Sequence, residues 1–368
     1  MIARIVTWAV EKRWLVLLLT VIVAAIGAFS LYRLPIDAVP DITNNQVQIN
    51  VRAPALSPEL VEKQVSFPIE TALAGTPGLE YTRSLSRNGF AQITAVFDES
   101  TDIYFARQQV GERLAGVAEN LPDGVNPEMG PIATGLGEVY MWTVRLAHRK
   151  DDVHKPGEPG LQPDGSYVTP EGDRLITEAD QATYLRTAQD WIVTPLLKTT
   201  PGLAGVDSIG GYAKQFLVVP DVQKLASLGI TLTDLGNALE RNNTSVGGGF
   251  VNRNGEGLAV RSDALVRNAS ELARTVIATR NGVPITVEQV ATVKTGQAIR
   301  MGSASENGTE VVVGTAIMRI GENSRIVSTA VAEKLKTINA SLPPDVVIQP
   351  VLNRTELVNS TIKTVAKN

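Results

Sequence analysis

WLVLLLTVIVAAIGAFSLY, residues 14–32, runs for nineteen residues without a charge. A helix needs about 20 apolar residues to cross a hydrocarbon core, so this stretch predicts a transmembrane helix. Arg4, Lys12 and Arg13 lie before it, while Asp37 and Asp41 lie after it with Arg33 the one base close on that side. The excess of bases on the amino-terminal side puts that end in the cytoplasm and the residues after about 33 across the membrane. A cleaved secretory signal is the competing reading. Such signals have apolar cores of only ~7–15 residues and an A-x-A-like cleavage site, which is missing here.

In residues 1–13, MIARIVTWAVEKR, Ile2, Ile5, Val6, Ala9 and Val10 recur at helical spacing, with Arg4, Glu11 and Lys12 elsewhere. The pattern predicts an interfacial amphipathic lead-in with Trp8 and Trp14 at headgroup level, or the first turns of the same helix.

The 368 residues include no cysteine, 34 basic and 38 acidic side chains, and 43% are apolar. That is ample for packed cores and too balanced in charge for disorder or nucleic-acid binding. Without thiols, neither a disulfide framework nor a zinc-finger type of site can form. A metal site must then use carboxylate, methionine or backbone oxygen, or borrow ligands from elsewhere. His148 and His154 lie with Lys150, Asp151 and Asp152 in a polar stretch, where a solvated loop is a simpler explanation than a metal centre.

Beyond the apolar span the chain reads as two halves with one internal plan. In QVQINVRAP, Val47, Ile49 and Val51 alternate with polar residues, the period of a half-buried strand. Ser57 and Pro58 then open a helix with Val61, Val65, Ile69 and Leu73 at four-residue steps, in which Pro68 predicts a kink or break. Strands over 80–85 and 91–97 flank the turn Arg87-Asn88-Gly89, and a second helix from near Asp102 carries Ile103, Ala106, Val110, Leu114, Val117 and Leu121 as one stripe. Strand, helix, strand, strand, helix is most of a split βαβ unit.

The plan repeats with a strand over 138–146 and a helix over 185–197, whose Ala188, Trp191, Ile192 and Leu196 are expected to share a face. It resumes with a strand over 311–320, a helix over 324–342 and a strand over 345–352. Between these, 211 to about 272 reads as an inserted module: a strand KQFLVVPD, two short helices divided at Gly229, and the Gly- and Asn-rich NNTSVGGGFVNRNGEG, which is either a hairpin arm or a mobile loop. Residues 147–184 read as a surface excursion, and TELVNSTIKTVAKN as a helix without a terminating cap, glycine or final strand.

Five tracts carry a family resemblance: RLPIDAVPDITNNQVQI at 33–49, FPIETALAGTPGLEYTRSLSRNGFAQITAVFDESTDIYFARQQV at 67–110, MGPIATGLGEVYMWTV at 129–144, TPGLAGVDSIGGYAKQFLVVPD at 200–221 and VGTAIMRIGENSRIVS at 313–328. Together they resemble the heavy-metal efflux branch of the resistance-nodulation-division transporters. The resemblance implies a membrane protein with one N-terminal transmembrane helix, then α+β periplasmic porter subdomains built as ferredoxin-like split βαβ repeats, with an inserted docking subdomain. Its expected divisions are 1–33 for the lead-in and membrane helix, 34–133 for the first porter subdomain, 134–210 with 276–350 for the second, and 211–275 for the docking subdomain. Residues 351–368 would lead into a second membrane helix. The Gly-rich arm would insert into a neighbouring subunit of a homotrimer.

The same resemblance implies the amino-terminal third of a proton-driven inner-membrane pump, working with a periplasmic adaptor, an outer-membrane channel and membrane lipid, and without nucleic acid. No cofactor is implied; a divalent ion would be the cargo. Gly-Leu-Gly-Glu-Val-Tyr at 135–140 resembles members that export zinc, cobalt, cadmium or nickel, whereas copper and silver exporters have a bulky residue in place of Glu138. A carboxylate suits such borderline ions. Glu138 is therefore the candidate metal ligand, with capping or ion pairing as the structural alternative. Met129 and Met141 are expected in core packing rather than along an ion path.

Pro35 and Pro40 are read as stiffening the membrane exit, and Glu322 as pairing with Arg325 or favouring its helix N-terminus. No ionisable residue lies within 14–32, so a proton relay must come from outside this chain. A single-pass periplasmic scaffold or metal sensor and an exporter of organic compounds are the rival readings. The sequence has no cysteine nucleophile, Gly-Lys-Ser/Thr loop or Gly-x-Ser-x-Gly elbow to support an enzyme.

Overall fold

The computed structural model describes residues 8–33, 43–148, 157–253, 256–263, 265–280, 282–300 and 302–367. The tract 34–42 with Pro35, Asp37, Pro40 and Asp41, the first seven residues of the lead-in, and Lys150 to His154 of the histidine stretch lie outside the described residues. Helix α1, Arg13–Arg33, is the one described helix long and apolar enough to cross a membrane, with a mean hydropathy of 2.1 over Arg13–Ser30. Leu15, Leu18, Ile22, Ile26 and Phe29 are all exposed along it. A helix apolar on every side has the length and composition of a membrane span.

The first sheet follows from period-two burial. Strand β1, Gln46–Arg52, buries Val47, Ile49 and Val51 completely. It lies between β3, Phe90–Phe97, and β4, Asn126–Met129, with β2, Leu79–Arg87, beyond β3. Two helices cover the buried face. The first, α2, starts as Pro58–Val61 under a Ser57 cap, passes through one π-turn, Glu62–Ser66, and continues as Phe67–Leu73. The second, α3, is Ile103–Val117, capped by Asp102, whose carboxylate accepts from Tyr104 N and Phe105 N. At the β2–β3 turn Gly89 alone takes a positive φ, 70°, while Asn88 stays in the ordinary region.

Pro68 does not break α2, which runs on without interruption from Pro58 to Leu73. The π-turn ends with Phe67 N donating to Glu62 O, five residues back, and Pro68, which has no N–H, follows at once. The same turn accounts for the four-residue spacing. At 3.6 residues per turn a step of four drifts around the helix, and one wider turn cancels that drift. Val61, Val65, Ile69 and Leu73 are accordingly all fully buried.

The second sheet has β5, Glu138–Leu146, between β18, Val346–Asn353, and β17, Thr309–Met318. Along the far edge of β17 run β9, Leu203–Ile209, and the short β16, Ala304–Glu306. Taking β5, β9, β17 and β18 as strands one to four, the order is two-three-one-four, the order of the first sheet as well. Helix α4 covers it as Glu178–Ala188, a π-turn Gln189–Val193 and Thr194–Leu197. Beside it lies α9, Ser324–Ser341, capped by Asn323.

Helix α4 corrects the expected face in part: Ala188 is buried and Ile192 packs against the core as expected, whereas Trp191 and Leu196 do not. Leu185, Gln189, Val193 and Leu197 are buried, while Trp191 is 79% exposed and Leu196 is 42% exposed. Its π-turn, again just before a proline (Pro195), rotates the face by about one residue. The turn also delivers Gln189 to Trp142: the indole Nε1 donates to Gln189 Oε1 (3.0 Å), and Gln189 Nε2 donates to Ser208 Oγ (3.2 Å) and Thr194 Oγ1 (3.3 Å).

Residues 157–177 are not a loose excursion. They form a three-stranded meander, β6 Gly160–Leu161, β7 Tyr167–Val168 and β8 Arg174–Leu175. Tyr167 is fully buried in the second core and its hydroxyl donates to Pro344 O (2.8 Å), while Leu161 N donates to the buried Asp345 carboxylate (2.9 Å).

The third module is a ribbon of β10, Lys214–Pro220, paired with β15, Ala291–Gln297. Helices α5, Val222–Leu228, and α6, Leu232–Arg241, pack on it around the left-handed Gly229 (φ 56°). A hairpin of β11, Ser245–Arg253, and β12, Glu256–Asp263, exposes Phe250, Val251 and Leu258. Next come α7, Ala269–Ala273, the pair β13, Val276–Arg280, and β14, Val283–Thr286, and α8, Val287–Val290. Residues 276–297 therefore belong with this module and not with the second sheet, because Ile277, Ile285, Val287 and Val290 share its core with Leu225 and Leu235. Helix α10, Arg354–Lys367, ends the described chain.

Gly314 lies directly opposite Trp142 in the β17–β5 register, and a Cβ there would come within 2.3 Å of the indole ring. Gly314→Ala is expected to destabilise the chain by about 1–3 kcal/mol through overpacking, read as a lower urea midpoint in detergent. An unchanged midpoint contradicts this packing.

Candidate functional site

The site is built from a flaw in the alternation of β5. Tyr140 pairs with Ala316 and Glu138 with Ile317, so Val139 is one residue more than the partner strand supplies. Val139 and Tyr140 both enter the core, 0% and 3% exposed. A bulge that sends two successive residues inward leaves the preceding one on the opposite face. Glu138 is accordingly exposed, on the side of the sheet that the helices leave open.

That open face also carries Met141, Thr143 and Arg145 of β5, which alternate with the core residues Trp142 and Val144. Across β17, the register sets Met141, Thr315 and Asp207 in one row. Ser208, next to Asp207, points the other way, toward Gln189. Partial desolvation pushes the Asp207 carboxyl above its ordinary pKa, against the opposing charge of Lys198. Farther along, Thr143 Oγ1 donates to Glu306 Oε2 (3.1 Å), Arg145 Nε lies 3.9 Å from the same oxygen, and Arg145 donates to Gln349 Oε1. One end of the face is thus acidic, with a thioether nearby, and the other is internally paired.

Glu138 is approached by a tight segment. Gly130 N donates to Gln48 O (2.7 Å), and Arg107 Nη1 donates to Gly130 O (2.7 Å), with burial lowering the Arg107 pKa. Gly137 N donates to Thr134 O (2.9 Å) and its carbonyl accepts from Met318 N (2.7 Å). A Cβ at Gly137 would stand 3.0 Å from Thr134 O and 3.1 Å from Met318 O, which is why a glycine precedes the glutamate.

The other expected residues fall elsewhere. Met141 is half-buried on the open face, where alternation puts it outside the core. Met129 is on the helix side of the first sheet, opposite the buried Ile49 and 3.5 Å from the place of a Cβ on Gly111 of α3, but at the sheet edge it stays 37% exposed. Glu322 makes no ion pair with Arg325 among the described residues; Asn323 caps α9 through Arg325 N and Ile326 N. His148 Nδ1 lies 3.4 Å from Asp345 Oδ2, in the second sheet's neighbourhood and apart from Glu138. Among the described residues no group of three or more His, Cys, Asp or Glu is gathered to hold a metal. Asp207 was missed in the sequence because only strand register brings it to the face of Glu138, 69 positions earlier in the chain.

The fold is two sheets of one strand order with an inserted third module, preceded by one helix long and apolar enough to cross a membrane. The AcrB/AcrD/AcrF family model matches residues 5–368. The nickel-cobalt-cadmium resistance protein NccA of Alcaligenes xylosoxydans xylosoxydans is 56% identical over 370 residues, covering 100% of this chain and 34% of that protein. The cobalt-zinc-cadmium resistance protein CzcA of Cupriavidus metallidurans is 47% identical over 368 residues, covering 100% and 32%. An X-ray crystal structure of a heavy metal efflux pump superposes with a TM-score of 0.81 at 29% identity, covering 99% of this chain and 33% of that one. The chain belongs to the AcrB/AcrD/AcrF family, in the heavy-metal branch of the resistance-nodulation-division transporters. It spans about a third of the length of the curated relatives it matches.

A raised Asp207 pKa means that the fold favours the protonated carboxyl. Stability from this group is complete below the unfolded value of about 3.9 and is lost as pH rises through the folded value. Asp207→Asn is therefore expected to be more stable than the wild type at pH 7, with the gap closing in acid. Carboxyl NMR titration in detergent checks the cause: an Asp207 midpoint at or below the ordinary value contradicts it.

Proposed function

We propose that this chain acts as the amino-terminal part of an inner-membrane exporter that moves divalent cations of the zinc, cobalt, cadmium or nickel kind outward in exchange for protons. The observation that carries the reading is the presence of Glu138 and Asp207 on one open sheet face, on the strands either side of β17, in a chain of the heavy-metal branch. Two carboxylates with Met141 beside them suit borderline divalent ions, and the absence of cysteine removes the usual soft-ion ligand. These groups are too few to complete a site, so the remaining ligands come from another part of the transporter.

On this reading α1 is an uncleaved anchor with a cytoplasmic N-terminus. The two sheets are porter subdomains, one wall of a periplasmic cleft, and the module built on β10 and β15 is the docking subdomain. The β11–β12 hairpin, with Phe250, Val251 and Leu258 exposed, reaches into the next subunit of a homotrimer, and a periplasmic adaptor and an outer-membrane channel complete the path. Proton carriers lie outside this chain, since α1 has no ionisable side chain across 14–32.

The test is made in the longer transporter polypeptide, expressed in cells stripped of their own exporters. Glu138→Ala and Asp207→Ala are each expected to lower zinc, cobalt, cadmium or nickel tolerance toward that of the empty host. Full tolerance at equal expression in both variants removes this face from the cation path.

A further inference from the structure

Glu138 is held from behind by a helix that begins far along the chain. Arg354, the first residue of α10, is only 9% exposed, and its guanidinium Nη1 donates to Leu136 O, 218 residues earlier. Leu136 stands two residues before Glu138. A second tie enters one residue after it, where Ser328 Oγ of α9 reaches Val139 O (3.3 Å) and also Asn353 Oδ1 (3.0 Å). Asn353 Oδ1 in turn accepts from Thr355 N (3.1 Å) at the start of α10.

The start of α10 is thus joined to both sides of Glu138, directly through Arg354 and indirectly through Asn353 and Ser328. One turn on, Val358 is fully buried, while Leu357 is 55% exposed. Thr355 Oγ1 reaches Arg325 O of α9 (3.4 Å). Among the described residues α4 makes no comparable tie to the Glu138 segment; its polar contacts with other elements go to Trp142, Ser208, Gly210, Gly165 and Leu175.

We propose that Arg354 is a positioning residue that couples the seating of α10 to the turn 134–137, and through it to the direction of the Glu138 carboxylate. The consequence for the cation rests on reading Glu138 as its ligand. Coupling is reciprocal: whatever shifts α10 changes cation affinity at Glu138, and a bound cation steadies α10. A buried guanidinium on a carbonyl is suited to this, because its charge strengthens the bond and its planar fork fixes direction. Lysine retains the charge and loses the fork.

The experiment is hydrogen exchange on the longer transporter polypeptide in detergent micelles, for the wild type, Arg354→Lys and Glu138→Gln, with and without Zn²⁺. Without zinc, Arg354→Lys is expected to speed exchange across 134–139 and 354–367 by roughly tenfold, the scale of losing one charged hydrogen bond. Exchange in the first sheet stays unchanged, which controls for misfolding; a variant that loosens there too is replaced by Ser328→Ala, which cuts the second tie. With zinc, the wild type slows in both segments, Glu138→Gln slows in neither, and Arg354→Lys loses the protection of 354–367. Wild-type exchange over 134–139 in Arg354→Lys overturns the proposal. If zinc changes nothing in the wild type while Arg354→Lys still loosens 134–139, the positioning role stands and the cation reading of Glu138 fails.

Discussion

One surplus residue in a strand decides where the charge goes. Because Val139 and Tyr140 together face Ala316, both enter the second core, and Glu138 is turned to the open face. Moving the register by one position would bury a carboxylate against Trp142 and Val144, a cost that no described partner could offset. The surrounding contacts maintain this register: Met318 N on Gly137 O, Ser328 on Val139 O, and the Trp142 ring stacked over Gly314. The acidic face is a consequence of core packing as much as of surface composition.

Two features of the cores were legible in the sequence without being recognised for what they are. Four-residue spacing at Val61, Val65, Ile69 and Leu73, with a proline inside, is the mark of a π-turn, and α4 repeats it with Leu185, Gln189, Val193 and Leu197 around Pro195. Reading α4 at the ordinary helical period instead selects Trp191 and Leu196, which face outward. Strands β1, β3, β5 and β17 were readable because burial on one face imposes period two. So were the Ser57 cap and the helix start near Asp102, whose side chains bond nearby backbone N–H groups, whereas the Asn323 cap was not read.

What stayed hidden depends on contacts distant in sequence. The meander around Tyr167 looks like loop because its strands are two residues long, and the buried tyrosine, Asp345 and Gln181 of α4 tie it down. The third module closes at Gln297 because β15 returns to pair with β10, which no local pattern announces. Glu138 was visible through the family resemblance of Gly-Leu-Gly-Glu-Val-Tyr, whereas Asp207 and Arg354 reach the same neighbourhood by register and by a long-range hydrogen bond. Functional groups assembled from separate strands and helices leave no spacing to read.

The central claim is that a divalent cation meets this protein at the acidic end of the open face. Cobalt anomalous diffraction from crystals of the longer transporter grown with Co²⁺ tests it most directly. A peak at about 2.0–2.2 Å from a Glu138 carboxylate oxygen is the predicted result, the usual distance for a carboxylate on a borderline divalent ion. Cobalt peaks confined to other parts of the transporter, with Glu138 and Asp207 both free of metal, would contradict it.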